Sequence, residues 1–474
     1  MVFNSLKFLL FFTFLFFLYW WIPDRHRNSL ILVSNLVFYS YFGIQYLFIL
    51  LFEAILSYVA GRVIEKHQAV SKPVYLVSVV IVIGALGVFK YTGFVMNTLV
   101  SLGINLSTGT NMHSLLLPVG ISFYTFVIIA YLTDIYKKKI SAEQNLIHYF
   151  CFISFFPTVS SGPIERANRI IPQLKNEKKF DYDTASYSIR LFAWGLFKKA
   201  IVADSLAMIV NKVFGDLPAA EGFAMILGIM FYTIHIYCDF SGYSDMARGI
   251  AGLLGIDVTN NFKNPFFSTT TREFWTRWHI SLSTWLRDYV YIPLGGNRKG
   301  TIRKRINLII TFLVSGLWHG ANWTYVLWGF LNGVVEVLED ILGIKERKKK
   351  DFLWVLRVLL TLSMFSFLLI FFRSSSISEA IFFLKHCLTG INNFSEYIYS
   401  GYHYLFSDLF RFLVTMLYIS VFWIYELICL KGDPIKLLDH KKPALRWIVY
   451  VGFGLMLIFL MPITKESPFV YFAF

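Results

Sequence analysis

The chain has 474 residues, of which 56% are hydrophobic, 19% aromatic and only 15% charged. At that length a mean hydropathy of +0.59 excludes a soluble globular class and indicates a polytopic helical membrane protein. The formal net charge of +15 does not call for nucleic acid, because the basic residues fall between apolar segments, where the positive-inside rule accounts for them.

In chain order, the first apolar run extends from Ser5 to Ile22. It carries Lys7 as its single basic residue, lacks a small-residue cleavage site and leads straight into further apolar segments. It therefore reads as a retained span, not a signal peptide. Basic clusters at Arg25 and Arg27, Arg62 to Lys72, Lys137 to Lys139, Arg166 to Lys179, Lys263 to Arg305, Lys345 to Lys350 and Lys431 to Arg446 read as cytoplasmic. Leu102 to His113 and Gly390 to Asp408 lack that excess and read as external. An external N-terminus then puts the tail after Pro462 outside as well. With about 20 apolar residues per span, roughly ten to twelve crossings fit, and Ile147 to Phe156 and Leu308 to Leu317 fit re-entrant segments equally well. With no repeat, heptad or linker in evidence, the chain reads as one membrane domain, 1–474, in which 260–305 is a cytoplasmic interfacial segment and 464–474 an external tail.

Four cysteines, Cys151, Cys238, Cys387 and Cys429, lie scattered in apolar segments without CxxC spacing. They read as small buried side chains, with neither a disulfide framework nor a zinc site.

Chemistry concentrates in three polar patches. Tyr232 to Asp245 (YTIHIYCDFSGYSD) places His235 and Asp239 at i, i+4, with Asp245 beyond. These are too few ligands for a metal, and the patch fits either a structural polar network or a proton relay. Asn260 to Arg305 is the longest hydrophilic stretch, with nine Lys or Arg against Glu273 and Asp288. Its core, FWTRWHISLSTWLRDY, predicts an amphipathic interfacial helix with Trp275, His279, Ser283 and Leu286 near one face. On spacing alone, a helix anchored by tryptophan and arginine and a helix presenting His279 for chemistry both fit. The third patch, SGLWHGANW (Ser315 to Trp323), ends an apolar run on His319, bracketed by Gly316 and Gly320, which permit close approach of backbone or substrate. An intramembrane histidine is a functional-site hypothesis by default, and a structural histidine bonded to a neighbouring helix is the alternative.

Alongside the two histidine motifs stand LPVGISFYTF (Leu117 to Phe126), SSGPIERA (Ser160 to Ala167), DFSGYSDMARG (Asp239 to Gly249) and YIPLGGNRKG (Tyr291 to Gly300). In these stretches and their order the chain resembles the membrane-bound O-acyltransferase family, in particular the bacterial membrane subunits that serve O-acetylation of alginate and peptidoglycan. IPLGGNR followed by LWHGANW is closer to that branch than to D-alanine transfer in teichoic acid synthesis.

The resemblance implies an all-α polytopic fold with about ten to twelve transmembrane helices plus re-entrant and interfacial ones. It implies acetyl-CoA as the donor substrate, entering from the cytoplasm, with His319 as the central catalytic residue, His279 as the second, and no metal. Arg277, Arg287, Arg298 and Lys299 are candidates to meet the donor's phosphates, although positive-inside topology accounts equally well for any one of them. Asn322 completes the donor-binding set, and either Asn322 or the His279 N–H is the expected oxyanion donor. For the tail FVYFAF the resemblance implies Tyr471 as a candidate acyl carrier, with an aromatic interfacial belt as the other reading. The expected protein lies in the bacterial cytoplasmic (inner) membrane with both termini external. It passes acetyl to a periplasmic or membrane-anchored O-acetyltransferase for a cell-wall or secreted polysaccharide, and nucleic acid has no part in it. Two alternatives remain: D-alanyl transfer from a carrier protein, and a proton-coupled transporter using His235, Asp239 and Asp245.

Overall fold

The structure, a computed structural model, describes residues 1–104, 117–460 and 469. Among them every regular element is helical. The first helices are α1 (Leu6–Trp21), α2 (Asp24–Ser40), α3 (Ile44–Lys66), α4 (Ser71–Leu86), α5 (Thr92–Ser101), α6 (Ile121–Tyr136), α7 (Leu146–Ser154), α8 (Phe156–Val159), α9 (Ala167–Lys175) and α10 (Tyr182–Leu196). After α11 (Asp204–Gly215) and the long α12 (Phe223–Leu253) come the short α13 (Thr271–Arg277) and α14 (Ile280–Leu286), then α15 (Thr301–His319) and α16 (Trp323–Ile341). The chain ends with α17 (Phe352–Arg373), α18 (Ile377–His386), α19 (Phe394–Leu405), α20 (Leu409–Cys429), α21 (Pro434–Asp439) and α22 (Pro443–Leu460).

Six helical stretches are long and apolar enough to cross a bilayer: α3, Gln68–Ser101, α12, α17, α20 and α22. Three shorter apolar stretches, Leu6–Trp21, Ile121–Tyr136 and Leu146–Val159, accompany them. The all-α, multi-pass class expected from the sequence is the one found. Helix is the natural solution here, because in lipid each backbone N–H and C=O must be satisfied within its own segment.

By its contacts the described chain divides into two compact units. The first comprises 1–189 and 247–260, and its core is aromatic, with Phe8, Phe38, Tyr39, Tyr124, Tyr149 and Phe156 buried. Asn35 on α2 closes the break between α7 and α8: its Nδ2 donates to Ser154 Oγ (3.2 Å) and its Oδ1 accepts from Phe156 N–H (3.0 Å). Two of the sequence motifs meet in this unit. A Cβ on Gly120 of LPVG would lie 2.1 Å from the Val159 carbonyl just ahead of SSGPIERA, and Gly120 has φ +79°, so only glycine fits there. Glu165 of the second motif accepts the Thr259 N–H (2.5 Å) and Arg169 pairs with Asp257 (2.6 Å). These two motifs build the unit's frame.

The second unit comprises 190–246 and 261–460 with Phe469. Its tightest helix pair is α15 against α16, where a Cβ on Gly316 would lie 2.2 Å from the Tyr325 carbonyl and one on Gly329 2.3 Å from the Phe312 carbonyl. Small residues at such a crossing let backbones approach where lipid provides no hydrophobic drive. Gly316 therefore serves helix packing, a more specific role than the open approach expected from the sequence.

Candidate functional site

Residues 274–289 do not form one continuous helix. Thr270 caps α13 through the Glu273 N–H (3.1 Å), and Glu273 returns to the Thr269 N–H (2.7 Å), a reciprocal start that favours a short, well-defined helix. At its far end the Arg277 carbonyl accepts from Lys263 N–H (2.9 Å). His279 then takes the left-handed conformation (φ +44°, ψ +53°) at the N-cap of α14. The first N–H groups of α14 are satisfied by Asn261: its carbonyl accepts from Ile280 N–H (3.0 Å) and its Oδ1 from Ser281 N–H (3.0 Å). A non-glycine residue in this region costs about 1–3 kcal/mol and persists only where its surroundings over-determine it. The break turns the imidazole into the protein, where it is only 1% exposed.

His319 is the last residue of α15, at the tip of the α15–α16 hairpin, and is 4% exposed. The two imidazole centroids are 6.5 Å apart. Phe240 of α12 stands edge-on to His279 at 4.5 Å, Trp328 edge-on to His319 at 5.2 Å, Phe372 lies 5.4 Å from His319, and Trp318 flanks both imidazoles, 5.8 Å from His279 and 5.0 Å from His319. Burial first, and His319 second, hold the His279 pKa well below its ordinary 6.5, so this imidazole is neutral near pH 7.

A cavity of about 360 Å³ flanks this aromatic box. Ser283 and Ser315, each one helical turn from a histidine, line it together with Trp275, and Trp275 packs on Trp328 (5.9 Å). Arg272, Arg287 and Lys304 also line it, and each already has an acidic partner: Arg272 with Asp340 (3.5 Å) and Glu336 (3.9 Å), Arg287 with Asp288 (2.8 Å), and Lys304 with Asp340. Of the four basic candidates, only Arg287 lines this cavity. Arg277 is ion-paired with Glu273, and Arg298 and Lys299 are exposed in the turn before α15. Asn322 caps α16 through the Thr324 N–H (3.1 Å) and donates to the Ser375 carbonyl (2.9 Å), which largely commits its amide to the hairpin. Tyr471 lies outside the described residues.

The profile of MBOAT, the membrane-bound O-acyltransferase family, matches residues 35–382, a span containing both histidines and the cavity. The chain belongs to the membrane-bound O-acyltransferase family. It is an enzyme of acyl transfer and a multi-pass membrane protein. A Pseudomonas putida protein named probable alginate O-acetylase is 40% identical over 352 residues, 73% of this chain and 72% of the relative. A peptidoglycan O-acetyltransferase of Helicobacter pylori is 31% identical over 400 residues, 77% of this chain and 74% of the relative. A teichoic acid D-alanyltransferase of Bacillus subtilis is 30% identical over 261 residues, 51% of this chain and 63% of the relative.

In this acyltransferase the polar patch Tyr232 to Asp245 is built around two lysines that sequence reading missed. The π-helical stretch Phe197–Ala203 turns Lys198 and Lys199, adjacent in sequence, both inward, each 3% exposed. Lys199 pairs with Asp239 (2.6 Å) and Asp204 (2.9 Å), Lys198 with Asp245 (2.7 Å), and the His235 ring meets the Ala203 carbonyl (2.9 Å). Asp239 and Asp245 thus have separate lysine partners, unlike the single His235–Asp239–Asp245 line a relay would use. The signal was present in GLFKKAIVAD: a lysine pair inside an apolar run reads as buried and paired rather than as a loop boundary. Among the described residues no group of three or more His, Cys, Asp or Glu side chains is placed to hold a metal ion.

Proposed function

We propose that this acyltransferase moves acetyl from cytoplasmic acetyl-CoA across the bacterial inner membrane for O-acetylation of a cell-wall or secreted polysaccharide of the peptidoglycan or alginate type. The observation that carries the proposal is the pair of buried imidazoles in one aromatic box beside a cavity with basic lining. The alginate and peptidoglycan O-acetylase relatives support the acetyl group and the class of acceptor.

The chemistry follows from the residues. A buried, water-poor box protects a thioester from hydrolysis. His319 takes the proton of the attacking hydroxyl as its oxygen adds to the thioester carbonyl. An N–H of neutral His279 steadies the developing oxyanion. The C–S bond then breaks and the departing sulfur takes the proton from His319, leaving an ester and a free thiol with every atom accounted for. The donor's phosphates take the place of the present acidic partners on Arg287, foremost among the residues named from sequence, and on Arg272 and Lys304 beside it.

The attacking hydroxyl is that of Tyr471. A phenol with pKa about 10 makes a more reactive ester than a sugar alcohol does, so an aryl ester can receive acetyl from the thioester and pass it to a sugar hydroxyl without ATP. A periplasmic or membrane-anchored O-acetyltransferase completes the transfer, which requires the tail 464–474 to be external.

Incubation of the purified protein with acetyl-CoA followed by mass spectrometry is expected to find one acetyl group on wild type and none on Tyr471→Phe, which keeps the ring and deletes only the oxygen. Full polysaccharide acetylation by Tyr471→Phe makes the tail an anchor and removes the carrier step. Acylation only by a D-alanyl-loaded carrier protein would move the assignment to the teichoic acid branch, which the Bacillus subtilis relative keeps in view. Topology has its own check. A Lys299→Cys variant should resist an impermeant thiol reagent in intact cells and react after permeabilisation, and efficient labelling from outside would reverse the donor side.

A further inference from the structure

Remote from the histidines, the second unit holds another cavity, of about 430 Å³, between α11 and α20. Its lining is graded. Lys212 and Arg411 line one end with Phe410, which shares the first turn of α20, and Met208, Val414, Thr415 and Tyr418 line it further along the two helices. Lys212 is bound at the C-terminal end of α19: its ammonium donates to the Tyr404 carbonyl and lies 4.6 Å over the Tyr404 ring, and Tyr404 Oη donates back to the Lys212 carbonyl (3.2 Å). Arg411 occupies the first turn of α20, 3.5 Å from Asp408. No ion pair is found for Lys212 among the described residues, so Lys212, Arg411 and Asp408 together carry one net positive charge.

The placement of these groups matters. α20 is one of the six helices able to cross a bilayer, so its first turn lies at the level of the lipid headgroups, and the aromatic Tyr402, His403 and Tyr404 just before it are of the type found there. Tyr418 is seven residues beyond Arg411, about 10 Å deeper at 1.5 Å per residue. Leu409, Phe410, Leu413 and Leu417 are exposed, as expected of a helix bordering lipid. The cavity is therefore cationic at headgroup level and apolar along the direction in which acyl chains run.

We propose that this groove binds one glycerophospholipid with an anionic headgroup, its phosphate on Lys212 and Arg411 and one acyl chain along Met208, Val414 and Tyr418. Charge favours a lipid over a partner helix, because the net positive charge at this end of the groove complements a phosphate.

The test uses the full-length protein, delipidated in detergent and titrated with phosphatidylglycerol, phosphatidylcholine or soluble glycerol phosphate while bound lipid is counted by native mass spectrometry. Wild type should retain one phosphatidylglycerol in preference to phosphatidylcholine. Lys212→Gln with Arg411→Gln should weaken that binding on the order of thirtyfold, at roughly fivefold per basic group. Val414→Trp, which fills the apolar end and leaves both charges, should weaken it too. Equal retention of the two lipids, or undiminished phosphatidylglycerol binding in the charge variant, would overturn the proposal. Glycerol phosphate binding as tightly as the lipid would also overturn it, by making the site one for a simple anion.

Discussion

Replacing His319 with alanine is expected to slow acyl transfer by about 10²–10⁴-fold, the usual cost of losing a general base, in a protein that still folds and inserts. Survival of the fold follows from where the residue sits. His319 ends α15, and the α15–α16 hairpin is held by the Gly316 and Gly329 crossings and by the Asn322 cap, none of which uses the imidazole. His319→Gln tests the same point while filling more of the space against Trp328 and Phe372: it retains hydrogen-bonding capacity but cannot accept and return the proton. Both variants should therefore be inactive, with thermal unfolding close to wild type. Near wild-type acetyl transfer in either one would refute the assignment of His319 as base.

Lys199→Met is expected to destabilise the second unit by about 3–5 kcal/mol, because removing one partner of a buried ion pair strands the other charge. Here two carboxylates lose their ammonium partner, since Asp204 and Asp239 both meet Lys199 and all three are almost wholly buried. Yield of folded protein and unfolding temperature in detergent would report the loss. Adding Asp204→Asn and Asp239→Asn should restore most of it by removing those charges. Wild-type stability in the single variant would mean that the triad contributes little to the fold. Activity should fall together with stability, because Asp239 adjoins Phe240, whose ring edge supports His279.

The sequence is most legible where a property is local. Apolar run length and the separation of basic clusters suffice for an all-α, multi-pass protein, because a helix in lipid must satisfy its own backbone. Motif order sufficed for the family, and an imidazole at the end of an apolar run marked His319 as a candidate, since a polar side chain in that setting is costly by itself.

What only the tertiary structure decided depends on groups far apart in sequence. A helical repeat of Trp275, His279 and Ser283 predicts one continuous helix, but Asn261 takes over the first N–H groups of α14, and the chain breaks at His279 instead. The same separation hid the burial of Lys198 and Lys199, which needs the wider turn of Phe197–Ala203 and acidic partners up to 47 residues away. It also decided which basic residues line the cavity: Arg272 and Lys304 joined Arg287 there, whereas Arg298 and Lys299 remained in an exposed turn. Hydropathy and helical period report what each segment costs by itself in lipid. Which carbonyl caps which helix, and which carboxylate neutralises which lysine, is settled only when distant segments pack, because a buried polar group is stable only beside the partner that the fold brings to it.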